Sequence, residues 1–308
     1  MENINYVDLN RCNNSDRANY RVNAERNLRF FNQIIAGLKD IPPGARDLFD
    51  KPRGENAFLM KRISEVGKVE LEDVERFNNA DEILNLSACF TDNFGCTSVA
   101  RNGVIGQTLD LYDVGLSIVR EKNSLYVTIP PYLAVFGMNE NLAFCTNYLQ
   151  GPVKQGVPVS QIRRDLLRQD AMEGCFDYLK NISRSTTVNF LLSDGKKVVD
   201  LEVAPDKTLV HEQHLSGGNY FNAHTNHFVE GDIIRDDCCP RLKRAAELLG
   251  RGERIEKILD DSQISLPVAP NHLGVRFGSI IKAIMDVRNR LFFYKGPEDS
   301  EYKVLAVN

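Results

Sequence analysis

The spacing of apolar positions changes character close to Gly95. Upstream, Leu28, Phe30, Phe31, Ile34, Ile35 and Leu38 recur at helical intervals, which predicts a helix that Pro42-Pro43-Gly44 ends. A weaker helical pattern covers residues 55–63. Val69, Leu71 and Val74 are the apolar points of the acid-rich stretch 68–75, and residues 77–85 continue as helix. These stripes read as packing faces. Downstream of Gly95 short apolar runs bounded by turn residues dominate, and they predict strands. One covers residues 124–129 and stops at Pro130-Pro131. A second pair covers 133–137 and 142–149, turned through Met138-Asn139-Glu140-Asn141. Residues 159–182 carry Ile162, Leu166, Leu167, Met172, Phe176 and Leu179 on one side of a helix, with Ser160 as its cap and Gly174 as the point where it kinks or divides. A hairpin of 187–192 and 198–203 flanks an Asp194-Gly195 turn. Strand character returns at 220–228, helices at 240–249 and 253–259, and a closing strand pair at 279–285 and 291–294. Strands joined mainly by hairpins, with helices gathered between the runs, predict an α+β layered domain rather than a βαβ repeat.

The stretch where the pattern changes contains the candidate chemistry. Gly95-Cys96-Thr97-Ser98-Val99-Ala100 and Val104 to Asp110 read as two strands closed by Asn102-Gly103, both of which tolerate positive φ. With Val99 facing Val104, Cys96 lies opposite Gln107, and Asp110 falls just past the end of the first strand on the Cys96 side. Taken locally, this is a hairpin with a buried cysteine, since free Cys is among the most buried residue types.

Composition narrows the classes. A chain of 308 residues holds one large domain or two and can bury a core without staples. Its net charge of −4 gives no electrostatic case for nucleic acid or an anionic membrane, and no apolar run approaches a membrane span. Residues 1–8 lack the basic and apolar regions of a secretion signal. The seven cysteines, at 12, 89, 96, 145, 175, 238 and 239, are odd in number and scattered, which fits reduced thiols in a cytoplasmic protein better than a disulfide framework. No glycine-rich nucleotide loop is present, and no cofactor is implied.

Gly95 leaves the approach to Cys96 free of a side chain, and Thr97 and Ser98 bring hydroxyls near. His224-Thr225-Asn226-His227, with Cys238 and Cys239 downstream, invites a metal reading, but the adjacent cysteines have poor zinc spacing, and on a strand the two histidines face opposite ways. A Cys96/His pair of papain type is another option, although its nucleophile belongs at a helix N-terminus rather than a strand start. Asp200 and Glu202 share one strand face and read as solvated. Arg241, Lys243 and Arg244 also read as a solvated face, from which one residue could turn inward to a carboxylate.

Taken in order, these segments resemble a known family. Gly95-Cys96-Thr97-Ser98 followed by Gly106-Gln107-Thr108-Leu109-Asp110 is similar to the processing site of the C45-type autoproteolytic acyltransferase/hydrolases, the acyl-coenzyme A:6-aminopenicillanic acid acyltransferase-like branch of the N-terminal-nucleophile hydrolases. The choloylglycine hydrolases and penicillin V acylases are wider relatives. The likeness continues through Met138 to Tyr148, the hairpin from Asn189 to Val203, His224-Thr225-Asn226-His227-Phe228, Pro240-Arg241 and the closing Gly296-Pro297, over about residues 80 to 297. Thr108-Leu109-Asp110-Leu111 stands where the family often has Asn-Trp-Asp-Trp, and Gln107 stands where bile salt hydrolases have Arg. The resemblance implies a four-layer αββα sandwich of antiparallel sheets and a precursor cut between Gly95 and Cys96. The cut gives a largely helical leader, 1–95, and a catalytic fragment, 96–308, which stay associated as one globular unit. It further implies Cys96 as nucleophile, with Asp110 orienting its new amine, Asn147 and Asn226 as oxyanion donors and Arg241 as buttress. The implied substrate is a small-molecule amide or acyl-CoA-like thioester, with no nucleic-acid or membrane partner and a homo-oligomer left open. Two other readings stand beside it: a non-catalytic or unprocessed α+β protein with a structural Cys96, and a Cys/His amidase that needs no cut.

Overall fold

The structure is a computed structural model that describes residues 4–8, 14–37, 49–86, 95–211, 221–228, 240–270 and 276–307. Its elements run β1 (Asn5–Asp8), α1 (Asn14–Gly37), α2 (Gly54–Gly67), α3 (Leu71–Phe77), α4 (Ala80–Leu86), β2 (Thr97–Arg101), β3 (Val104–Tyr112), β4 (Ser117–Glu121), β5 (Ser124–Thr128), β6 (Phe136–Asn139) and β7 (Ala143–Tyr148). They continue α5 (Val159–Leu166), α6 (Met172–Asn181), β8 (Val188–Ser193), β9 (Val198–Val203), β10 (Thr208–His211), β11 (Phe221–His224), α7 (Pro240–Gly250), α8 (Ile255–Asp260), β12 (Ala269–Pro270), β13 (Arg276–Asp286), β14 (Leu291–Lys295) and β15 (Lys303–Ala306). The change from helix to strand at Gly95 is therefore real. Pro42-Pro43-Gly44 and Cys12, Cys89, Cys238 and Cys239 lie outside the described residues.

Two sheets form. One has the order β1-β4-β5-β6-β7-β8-β9-β10, and the other runs β11-β2-β3-β13-β14-β15 with β12 on β13. Every pairing is antiparallel except β1 with β4. The sheets stack face to face over a core that includes Ala100, Ile105, Cys145, Leu191 and Ile281. Alternation along β2 shows both of its faces covered: Ala100 enters this core, while Val99 joins Ala245, Leu248, Ile258 and Leu259 of α7 and α8 on the outer side. Ile162, Leu166, Met172 and Leu179 of α5 and α6 belong to the core of the first sheet. This is the αββα layering.

Local details differ from the expectations at four points. Asn102 and Gly103 have φ of 54° and 82°, so the turn takes two residues only and pairs Arg101 with Val104. The register thus moves by two positions, and Ser98 rather than Cys96 faces Gln107. A Cβ on Gly103 would lie 2.1 Å from the Gly195 carbonyl, because this turn docks on the β8–β9 turn. The long helix expected over 159–182 divides before Met172, not at Gly174: Asn139 donates to the carbonyls of Leu167 (3.0 Å) and Gln169 (2.8 Å) and holds the break. Ser160 lies inside α5 and donates to the Asn78 carbonyl, and Pro158 holds the cap position. Finally, Asp200 and Glu202 are buried, not solvated.

Among the buried asparagines that anchor the segment before Gly95 are Asn27 and Asn78. Asn27 of α1 donates to the carbonyls of Gly115 and Pro130 and accepts from the Gly115 amide. Asn78 donates to the Pro131 carbonyl and accepts from the Leu133 amide. Each meets a short polar stretch of main chain that no strand ladder satisfies, so each bond removes a desolvation cost of about 1–3 kcal/mol.

Candidate active site

Cys96 stands immediately before β2, with Thr97 paired to Thr108 on β3. The strand pair places Asp110 next to it, because β3 runs on past the start of β2. Asp110 is 1% exposed. Its carboxylate accepts from the Ser279 hydroxyl of β13 and, at 3.1 Å, from Nη1 of Arg241. Arg241 enters from the first turn of α7, so of the basic run it is the residue that turns inward, whereas Arg244 pairs with Asp261 and Glu247. The guanidinium also reaches Thr97 Oγ1 and Asn226 Oδ1, each at 3.4 Å. It lies against Gly95 so closely that a Cβ there would come within 1.9 Å of Nη2. This is the physical reason for a glycine before Cys96: the cation occupies the space of its side chain.

The two asparagines arrive from opposite sheets. Asn147 on β7 donates to the Cys96 carbonyl (2.9 Å) and the His224 carbonyl (3.4 Å), and accepts from Ser98 (2.6 Å). Asn226, just after β11, accepts from the Cys96 amide at 2.7 Å and donates to the Tyr148 carbonyl at 3.0 Å. Each carboxamide has donors facing its oxygen and carbonyls facing its nitrogen, which fixes its orientation. Both NH2 groups are thus committed to main-chain carbonyls. Gln107 ties the sheets beside them, donating to the Thr146 carbonyl (2.6 Å) and accepting from its amide (2.9 Å).

Charge states follow from burial. Burial, then the charge of Asp110, pushes the Cys96 thiol up to about 12, against a hydrogen bond from the Asp110 backbone, Arg241 and Gln107. Burial lifts Asp110 to about 6, against Ser279, Arg241, Thr108 and Lys282. The Cys96 thiol is therefore protonated at neutral pH, while Asp110 is ionised.

Sequence reasoning missed the cluster behind this site. His224 is fully buried, and its ring sits 3.1 Å from Glu202 Oε1 on β9 of the other sheet and 2.6 Å from the Thr225 carbonyl. A carbonyl only accepts, so Nδ1 carries a proton, and Nε2 shares one with Glu202. His211 approaches the second oxygen of Glu202 at 3.2 Å, and Asn189 donates to Asp200. Burial pulls the His224 ring down, but the charge of Asp200 and the bond and charge of Glu202 outweigh it, and the net direction is up. Burial leads a rise at Asp200 as well. The alternation of Asp200 and Glu202 with apolar residues was visible. What was invisible is that the face they share meets another sheet. The ring of His224 is turned to Glu202, away from any role as a base for Cys96.

Gly95, Cys96, Asp110 and Asn226 open on a cavity of about 250 Å³ with mostly apolar walls. Among the described residues no group of His, Cys, Asp or Glu is arranged to hold a metal ion, and no helix is long and apolar enough to cross a membrane.

The fold can be set against solved structures. A mutant conjugated bile acid hydrolase from Clostridium perfringens superposes with a TM-score of 0.52 at 15% identity, covering 69% of this chain and 92% of that one. The fold is that of the N-terminal-nucleophile hydrolases. A penicillin V acylase from Agrobacterium tumefaciens gives a TM-score of 0.45 at 13% identity, over 69% of this chain and 86% of the other. No family model matches the sequence, and no curated protein does.

Proposed function

We propose that the chain is a self-cleaving cysteine amidase of the N-terminal-nucleophile type, acting on linear amides through a Cys96 thioester. The observation that carries this reading is the placement of one peptide group. The Gly95–Cys96 amide is held by Asn226, flanked by the Asp110–Arg241 pair, and open to the cavity.

The chemistry has two stages. In the first, Cys96 Sγ attacks the Gly95 carbonyl carbon, the Gly95–Cys96 C–N bond breaks, and the thiol proton passes to the departing amine. Water then hydrolyses the thioester to a Gly95 carboxylate and a free thiol. The new α-amine titrates near ~8, close to the thiol's ordinary ~8.5, so it can take the thiol proton directly, which the amide of the uncut chain cannot. In the second stage the thiolate attacks a substrate amide, the amine leaves with the proton, and water or another amine resolves the acyl-enzyme. Asp110 is placed to balance the ammonium, and Arg241 keeps Asp110 ionised in a buried setting. Asn147, which donates to the Cys96 carbonyl, and Asn226, which accepts from the Cys96 amide, are the residues this reading assigns to the oxyanion. Hydrolysis and acyl transfer share these steps and differ only in what reaches the thioester.

The test is a denaturing gel. Cutting divides the 34.8 kDa chain, in proportion to length, into pieces of about 11 and about 24 kDa, and Cys96→Ala stays whole. A wild-type chain that stays intact on long incubation and yields no trapped thioester contradicts the reading.

A further inference from the structure

Arg26, Arg29 and Gln33 recur on α1 at intervals of three and four, so they lie on one face of the helix, with Phe30 beside them. That face borders two spaces. Phe30, Phe31 and Ile34 line the cavity beside Cys96. Arg26, Arg29 and Gln33 line a second, more open basin of about 370 Å³, together with Asp113 and Arg276. Asn27, Phe30 and Val114 line both, so the basin adjoins the cavity. Phe30 packs edge to face on Tyr112 (centroids 5.2 Å apart) and Tyr112 on Phe277 (5.7 Å), which sets an aromatic row beside the arginines.

The two spaces differ in charge. In the inner one Asp110 is paired with Arg241 and Asp81 with Arg163. In the basin, Arg26 donates to the Asp113 carbonyl at 2.8 Å and lies 3.6 Å from its carboxylate. Arg276 opens β13, and its carbonyl accepts from the Asp113 amide at 2.9 Å. Among the described residues, no hydrogen bond or ion pair engages the guanidinium of Arg29 or of Arg276. Three guanidinium groups thus surround one carboxylate in a chain whose net charge is −4. Like charges at this helical spacing repel, so the cluster weakens the fold slightly, and a bound anion offsets that cost. The planar fork of Arg matches the oxygens of a carboxylate or a phosphate.

We propose that Arg29 and Arg276, with Arg26 and Gln33 beside them, form an anion-binding site next to the Cys96 cavity, and that it takes a carboxylate or phosphate group of the substrate. The substrate is then an amide whose far end is anionic. That the anion belongs to the substrate rests on the reading of Cys96 as nucleophile, whereas the site itself stands on the arginines alone.

Binding and turnover test the two parts separately. Inorganic phosphate and phenyl phosphate are titrated calorimetrically, at low salt, into the full-length Cys96→Ala chain. Both are expected to bind, and more weakly as salt rises. Arg29→Gln and Arg276→Gln change exposed side chains and are each expected to weaken binding about tenfold. Arg17→Gln removes an exposed charge elsewhere on α1 and should change nothing. Absence of binding by either phosphate, or an equal loss with Arg17→Gln, overturns the site. In the self-cleaved enzyme, amides are compared in pairs, acid against methyl ester, with the carboxylate at the end of either the acyl or the amine chain and the chain lengthened stepwise. At one length the acid should exceed its ester about tenfold in kcat/KM, with the gain in KM, and Arg29→Gln or Arg276→Gln should bring that ratio to about one. Phosphate binding that needs the arginines, with acid and ester equal at every length, marks a site for a free anion and overturns the substrate assignment. If phosphate binds as expected and the wild type never cuts itself, the nucleophile reading fails and the anion site stands.

Discussion

Two buried carboxylate–cation clusters flank Cys96, and they differ in what lies beyond them. Asp110 and Arg241 join strands and a helix of one sheet layer and stand at the edge of a cavity. Glu202, Asp200 and His224 bridge the two sheets and are sealed on every side. Both clusters carry a large desolvation cost, and both offset it with hydrogen bonds. The first leaves a peptide amide within reach of its charges, so its electrostatics can act on a reacting bond. The second touches the site only through main chain: His224 holds the Thr225 carbonyl, one residue before Asn226, and its own carbonyl receives Asn147. Buried charge alone does not identify an active site. Buried charge beside an accessible, scissile group does.

The comparison yields experiments of decreasing size. Asp110→Asn removes the charge placed for the new ammonium and is expected to slow self-cleavage by about 10²–10³-fold, the cost of losing one preorganised electrostatic partner, as measured by gel densitometry over time. Glu202→Ala strands a buried histidine instead. It is expected to cost about 3 kcal/mol of stability, on the order of 10 °C in Tm by scanning fluorimetry, while cleavage below the melting range stays within about tenfold of wild type. If the two variants exchange these phenotypes, the roles assigned to the clusters are reversed.

Acidity separates the clusters further. Folding raises Asp110 from 3.8 to about 6, so its ionisation opposes folding, and its contribution to stability falls as pH rises through that window. Cleavage depends on the ionised form and is expected to rise over the same range, with an acid limb near 6. His224 is raised above its ordinary 6.5, so the stability it contributes is fully present below that value and is lost as pH climbs through its folded-state value. A melting curve that weakens on the alkaline side and a cleavage profile that weakens on the acid side would report the two clusters independently. The smallest effect belongs to Ser279→Ala. Losing its hydrogen bond to Asp110 is worth about 1 kcal/mol, and the acid limb should move upward by somewhat less than about one pH unit.

The layered fold was legible because period-2 runs, Asn102-Gly103 and Asp194-Gly195 all agree with it. β4 was missed because its sequence, Ser117 to Glu121, is short and half polar, and β15 and β10 are similarly weak. At the site, motif order singled out Cys96, Asp110, Asn147, Asn226 and Arg241, and the structure brings all five together. Ser279 and Thr97 were not legible as partners, since a hydroxyl on a strand carries no local sign of the carboxylate or guanidinium that a neighbouring strand or helix presents. The Glu202–His224 bridge was hidden for the same reason, as it depends on which sheet faces cover each other. The leader's role as a pocket wall was hidden as well: a helical apolar stripe specifies burial, not what fills the space beside it.

The central claim is that the Gly95–Cys96 bond is the one the protein breaks. Intact-mass measurement of the purified, incubated wild-type chain tests it most directly. The expected result is two fragments, the larger beginning at Cys96 with a free amine, and a single uncut species for Cys96→Ala. A single full-length mass for the wild type, or a larger fragment beginning at any other residue, would contradict it.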